Sequence, residues 1–280
     1  MIVDTHTHFY DPSRPQGVPW PGPDNELLYR TVLPAHYKEL AEKLGVTGTV
    51  VVEASAWLED NQWILDLAAE DPFIVGLVGH IDPGRDAFAD ELGRFAGHPL
   101  FCGIRVGRGY FAGEPDPAFL RDMEKLAGAG LALDVLLGAE ELPAVAALAQ
   151  RLPQMPIVID HVAHVPIDGL EPDAAWAEAM AAAAACPRVY CKVSGLVEAS
   201  RQRPAPSAAD YYKPTLDTLW GLFGAERLFY GSNWPVCEIA GSYATVHGIA
   251  QDYFAAKGEE ALERFNWRNS RDAYGWGKTG

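Results

Sequence analysis

Short apolar or β-branched runs alternate with helix-forming stretches along the whole chain. The runs fall at 2–6, 48–53, 73–78, 101–106, 131–136, 156–161, 188–193 and 227–231, eight in all. Most are nearly continuous in apolar character, as in Thr49-Val50-Val51-Val52 and Ile157-Val158-Ile159. That pattern is expected of parallel strands covered by helices. Helices are expected near 34–44, 60–70, 85–96, 117–129, 139–152, 172–186, 210–223 and 241–257. Pro34, Asp116-Pro117 and Pro172-Asp173 mark helix starts, and Gly45 marks a stop. A strand–helix unit repeated eight times predicts an α/β fold, a (β/α)8 TIM barrel forming one domain over residues 1–280. A doubly wound sheet is the rival, because periodicity does not report closure.

Two connections are long, 9–33 and 195–209, and both leave the carboxyl end of a strand. In barrel enzymes that end carries the active site, and loops of this length act as lids or binding loops. The polar residues gather at the same end. The first strand ends in His6 and His8, the second in Glu53, the third in His80 and Asp82, and the fourth in Arg105. The sixth ends in Asp160-His161, the seventh in Lys192 and Ser194, and the eighth in Ser232-Asn233-Trp234-Pro235. Alternation along a strand puts Asp4, His6 and His8 on one face, which suits metal ligation or proton transfer.

Each residue also has a plainer reading. Glu53 reads equally as a cap for the helix beginning near Asp60 or as the partner of a neighbouring cation, and Arg105 as a salt bridge across the mouth or as a fork for a substrate carboxylate. His161 reads as a site residue or a satisfied core histidine, and Lys192 as a substrate anchor or a side chain snorkelling from the rim. His80, in a turn-forming context, reads as structural, and His36, His98, His164 and His247 are set aside. Cys191 and Cys237 lack an adjacent base, so a thiol nucleophile is not expected.

Composition narrows the partners. The net charge of −16 argues against nucleic acid or an anionic membrane, leaving a small molecule as the expected substrate. No apolar run approaches the roughly 18 residues of a membrane span. The four cysteines form no CxxC pair, and no secretory leader is visible, so a cytoplasmic protein with reduced thiols is expected.

Five segments, in order, carry a family resemblance: Asp4-Thr5-His6-Thr7-His8-Phe9-Tyr10-Asp11, Gly103-Ile104-Arg105, Ile159-Asp160-His161, Cys191-Lys192-Val193-Ser194-Gly195-Leu196 and Tyr230-Gly231-Ser232-Asn233-Trp234-Pro235-Val236. Together with the tail at 266–275, they resemble the amidohydrolase-2 branch of the amidohydrolase superfamily. Within it, the chain is most similar to lactone hydrolases of the L-fuconolactonase, L-rhamnonolactonase and 2-pyrone-4,6-dicarboxylate lactonase type. The resemblance implies a barrel hydrolase in which His6, His8, His161 and the residue at 233 surround the reacting carbonyl while Arg105 holds the substrate. It implies either one divalent metal, zinc or manganese, on His6, His8 and His161, or metal-independent hydrolysis. One position departs from the family. The usual Gly-Ser-Asp-Trp-Pro reads Gly-Ser-Asn-Trp-Pro here, and Asn233 cannot take a proton at neutral pH. Three readings follow, in this order: Glu53, His161 or His8 acts as base; Asn233 orients a water activated by a metal; or the chain is a non-catalytic barrel.

The expected reaction is water attack on a lactone carbonyl. His6 and His8 would polarise it, His161 or Glu53 would handle the proton, and Arg105 with Lys192 would fix the substrate. Trp234, Trp20 and Tyr10 would supply an apolar wall. A metal-dependent decarboxylase of a small carboxylic acid is the alternative enzyme.

Overall fold

Eight strands pair in parallel in the order of the chain: β1 (Val3–Thr7), β2 (Gly48–Val52), β3 (Ile74–Gly79), β4 (Phe101–Gly107), β5 (Ala132–Leu136), β6 (Ile157–Ile159), β7 (Val189–Val193) and β8 (Leu228–Tyr230). This is a computed structural model, and it describes residues 1–277. Each crossover carries a helix: α1 (Pro34–Ala41), α2 (Leu58–Glu70), α3 (Phe88–Phe95), α4 (Pro117–Gly128), α5 (Leu142–Arg151), α6 (Ala174–Ala184) and, after the short α7 (Leu196–Ala199), α8 (Ala209–Phe223). The chain closes with α9 (Tyr243–Ala255), α10 (Glu259–Glu263) and α11 (Asn269–Tyr274). The (β/α)8 barrel expected from the repeat is therefore observed. Among the described residues, no helix is long and apolar enough to cross a membrane.

Two apolar layers follow from strand alternation. Val51, Leu77, Leu133, Ile157, Ile159 and Val189 face the helices. Val50, Val52, Val78, Val158 and Phe229 face inward, where Tyr274 and Trp276 from the closing helix and the turn after it join them as a plug. The barrel seam is unlike the other joints. No ladder runs between β8 and β1. Instead Thr7 bridges Trp234, the His8 amide donates to the Trp234 carbonyl (2.9 Å), and the Asn233 amide donates to the His6 carbonyl (2.8 Å).

Asp4 completes that seam, and here the expectation of a shared face fails. The ladder with β2 shifts register between Asp4 and Thr7. Such a bulge breaks the two-residue alternation. The Asp4 carboxylate therefore accepts from Tyr37 on α1 (2.7 Å), Tyr243 on α9 (3.3 Å) and the Ser232 amide (2.8 Å), while His6 turns into the barrel. Asp4 is a fastener between strands and helices. It does not belong with the two histidines.

Candidate active site

The floor of the barrel mouth is a buried charge cluster. Lys192, fully buried on β7, donates to Asp134 on β5 (2.5 Å) and lies 3.1 Å from Asp160 at the end of β6. The Tyr274 hydroxyl reaches Asp134 from below at 2.9 Å. Burial raises the Asp134 carboxyl against the pull of Lys192, and the neighbouring Asp160 charge adds to the rise. Burial works the same way on Asp160, but there Lys192 and His6 outweigh it and hold the carboxyl well below the usual range. One ammonium thus serves two carboxyls, of which Asp160 holds its charge the more firmly. This corrects the reading of Lys192 as a substrate anchor: its charge is consumed inside the barrel, one layer beneath the rim.

Above the floor stand the imidazoles. His6 Nδ1 lies 3.3 Å from Lys192 Nζ and 3.4 Å from Asp160, and its buried Nε2 has no partner. Ring centroids of His6 lie 5.0 Å from His8 and 4.3 Å from His161. Burial holds His6 and His161 well below the usual histidine range, with the Asp160 carboxylate opposing, and lowers His8 to about 4. All three are neutral at pH 7, the state in which imidazole acts as base or metal ligand. Among the described residues, however, no three His, Cys, Asp or Glu side chains are already disposed around a common metal point. His8 Nδ1 meets the Val52 carbonyl (3.0 Å), and His161 Nδ1 meets Ser194 Oγ (2.8 Å).

His161 owes its place to an unusual backbone. His161, Val162, Ala163 and His164 all have φ near +50°, a left-handed turn of four non-glycine residues. Each such residue costs roughly 1–2 kcal/mol. Gly195, itself at φ +67°, sits against this turn, and a Cβ there would lie 2.8 Å from the His161 Cβ. Gly195→Ala is therefore expected to destabilise the fold by about 1–2 kcal/mol from its own backbone strain and to displace the imidazole. Urea unfolding reads this directly, and an unchanged midpoint would show that no such clamp exists.

Arg105 reaches the mouth from β4. Its Nε and Nη2 grip the Glu53 carboxylate (both 2.8 Å), and Nη2 also reaches the Glu53 carbonyl (2.8 Å). Glu53 is thus the brace of Arg105 and is not placed to act as a base. The remaining guanidinium edge lines a cavity of about 360 Å³ together with His8, Trp20, Leu136, His161, His164 and Asn233. Cavities of this size hold small molecules. Trp20, from the long 9–33 loop, packs on His8 with centroids 5.8 Å apart. Trp234 does not join it. That indole is buried against Phe9 and Tyr37 and donates to Glu238 (2.8 Å). Tyr10 is likewise buried, its hydroxyl donating to the Leu28 carbonyl (2.8 Å).

Asn233 holds φ +60°, a region asparagine tolerates better than most residues. One end of its amide faces His8 Nε2 (3.2 Å) and the other faces Glu198 Oε1 on α7 (2.8 Å). His80 pairs with Asp82 (3.1 Å), as its turn context suggested. The Cys191 and Cys237 thiols are buried and pushed up by that burial, which leaves no thiolate nucleophile.

His6, His8, Arg105, His161 and Asn233 thus converge, whereas Lys192, Trp234 and Glu53 play supporting parts. Three residues were missed. Asp134 had a visible signal, a charge inside an apolar strand, which demands a partner. His164 and Glu198 had none, because a left-handed turn and a one-turn helix leave no periodicity to read.

Neutral imidazoles, one guanidinium and an unpartnered ring nitrogen at a barrel mouth form a site for polarising and hydrolysing a carbonyl compound. Comparison with known proteins agrees. The chain is 36% identical over 246 residues to L-fucono-1,5-lactonase of Burkholderia ambifaria, covering 86% of this chain and 82% of that one. It is 29% identical to L-fucono-1,5-lactonase of Burkholderia multivorans, covering 95% and 93%. A crystal structure of an amidohydrolase from Burkholderia multivorans with bound zinc superposes with a TM-score of 0.85 at 27% identity, covering 99% of both chains. Residues 3–276 match the family described as Amidohydrolase, so the barrel, its mouth and its closing helix all lie within that match, and the chain belongs to the amidohydrolase family.

Proposed function

We propose that this chain hydrolyses a small sugar-derived lactone to its hydroxy acid in the cavity between Arg105 and the imidazoles. The observation that carries the reading is the pairing of a single braced guanidinium with His8 and His161 held neutral by burial in one cavity. One cation suits a polyhydroxy lactone with one carbonyl to orient. A dicarboxylate would call for a second cation, and Lys192 is sealed away from the cavity. The identity to L-fucono-1,5-lactonase supports the same substrate class.

Arg105 orients the lactone, since its fork is already rigid and loses little freedom on binding. Asn233 positions the attacking water. His161, whose Nδ1 is engaged by Ser194, accepts the water proton at Nε2 as the oxygen adds to the carbonyl carbon. The ring carbon–oxygen bond then breaks, and the same proton returns to the leaving oxygen. His6 Nε2 is a buried donor without a partner, and with His8 and His161 it forms a nitrogen set that suits zinc. Those three residues would hold such an ion, which when bound would polarise the carbonyl; His161 Nε2 would then be a ligand instead of the proton acceptor.

A panel of aldonolactones, L-fucono-1,5-lactone among them, beside 2-pyrone-4,6-dicarboxylate and aromatic carboxylic acids, tests the reading by pH indicator. Acid release is expected from the aldonolactones. Carbon dioxide from an aromatic acid, with every lactone inert, would replace the proposal with a decarboxylase. Arg105→Met is expected to lower kcat/KM by about 10–100-fold, the value of a hydrogen bond to a charged group. A loss under twofold would remove Arg105 from the binding site.

A further inference from the structure

Where the family places a carboxylate, this chain has an amide, yet a carboxyl group sits directly behind it. Glu198 Oε1 lies 2.8 Å from the Asn233 amide nitrogen, and Glu198 Oε2 is buried with no partner at all. The amide connects this hidden carboxyl to His8, 3.2 Å away on its other side.

The hydrogen-bond arithmetic of this chain of three is constrained at one end. His8 Nδ1 faces the Val52 carbonyl, which can only accept, so Nδ1 carries the proton. Neutral His8 then offers a lone pair at Nε2. If the Asn233 oxygen faces that lone pair, two acceptors oppose each other. If the amide is turned over, its NH2 donates to Nε2, and its oxygen then needs a proton from Glu198. The two ends of an amide are nearly isosteric, so both arrangements fit the same space. The proton on Glu198 decides between them.

We propose that Glu198 is a positioning residue of this site, which sets through Asn233 whether an amide oxygen or an amide NH2 is presented to His8 and to the attacking water. With Glu198 ionised, the NH2 is drawn to the carboxylate and the oxygen is left as an acceptor for the water. With Glu198 protonated, the amide is reversed and the water loses that acceptor. Burial pushes this carboxyl up to about 7, with Asn233 and Arg203 pulling the other way, so both forms are populated near neutral pH.

The surroundings leave the carboxyl without a counter-charge. His161 and His164 lie on the turn packed against α7, Cys237 and Glu238 on the turn after β8, and Tyr212 on α8. Glu238 is taken up by Trp234 and Arg30. Arg203 is the cation that, among the described residues, pulls on this carboxyl, but its guanidinium is spent on the carbonyls of Glu198, Ser200 and Gln202.

The water-orienting part rests on the proposed hydrolysis, whereas the amide reversal does not, and the two are tested apart. The side-chain amide resonances of Asn233, assigned by their loss in Asn233→Asp, are followed by ¹H–¹⁵N NMR from pH 5.5 to 8.5, about 1.5 units either side of the Glu198 midpoint. In the unaltered chain they are expected to titrate near pH 7, and in Glu198→Gln they are expected to stay fixed. Resonances that do not move in the unaltered chain, or that still move in Glu198→Gln, overturn the proposal. Should Glu198→Gln fail to fold, infrared difference spectra of the unaltered chain carrying ¹³C-labelled glutamate side chains read the same event apart from the raised Asp134 carboxyl: a labelled buried carboxylic acid stretch lost on raising pH supports it, and none overturns it. With an accepted lactone, kcat of the unaltered chain should rise about tenfold per pH unit below the midpoint. In Glu198→Gln kcat should be flat, with KM within about twofold. A uniform fall in kcat with the rising limb intact would assign Glu198 to packing.

Discussion

His161→Ala is expected to lower kcat/KM for an accepted lactone by about 10²–10⁴, the range for losing a positioned acid–base group, without lowering the thermal midpoint. The two halves of this expectation have separate causes. The imidazole is a neutral base lining the substrate cavity, held in that state by burial and fixed at Nδ1 by Ser194. The backbone beneath it is strained, with four successive residues in the left-handed region. Strain of this kind persists only where the surroundings impose it, and it collects at functional sites. Alanine removes the base but keeps the turn, so turnover falls while stability holds. Turnover within tenfold of the unaltered chain would take His161 out of the chemistry. A collapse of the midpoint would make it a structural histidine.

Lys192→Met should be the most damaging single change to stability, lowering the free energy of unfolding by about 3–5 kcal/mol. Methionine matches the volume of the lysine stem but leaves Asp134 and Asp160 facing each other in the barrel without a cation. The loss should shrink in acid. Without the ammonium, both carboxyls have folded-state affinities for protons raised above their unfolded values. Such groups favour the folded state at low pH and lose that favour as pH rises through the raised value. Urea midpoints at pH 5 and pH 7.5 therefore test the origin of the effect as well as its size. A midpoint equal to that of the unaltered chain at pH 7.5 would show that the cluster does not depend on its cation. A loss independent of pH would point to packing instead of charge.

Much of this architecture is legible from residue order because parallel barrel strands advertise themselves as unbroken apolar runs. The run Val189-Tyr190-Cys191-Lys192-Val193 marks a strand, and its position in the repeat places it seventh. What it cannot give is depth. Lys192 and Ser194 both point inward, two residues apart, yet one lies in the floor and the other beside His161. The same limit separates Asn233, which reaches the cavity, from Trp234, which turns into the packing behind it. Asp4 was misplaced for another reason. A bulge is a property of two strands together, and nothing in Val3-Asp4-Thr5-His6 alone announces it. Glu198 sits on a helix of four residues, Leu196–Ala199, inside what reads as a long loop. Its relation to Asn233 exists only once the barrel has closed.

The manner of that closure bears on biosynthesis. The first strand is joined to the last through the Asp4 carboxylate and the Ser232 amide, 228 residues apart in sequence. At ribosomal rates of about 5–20 residues per second, roughly 10–45 s separate the appearance of the two halves. Through that interval the leading strand, with His6 in it and His8 just beyond, has a neighbour on one side only, and its polar groups lack the lining that later shields them. A nascent chain therefore stays incompetent until the segment after the eighth strand has emerged, and chaperone protection of that waiting edge would matter more here than in a protein assembled from local hairpins.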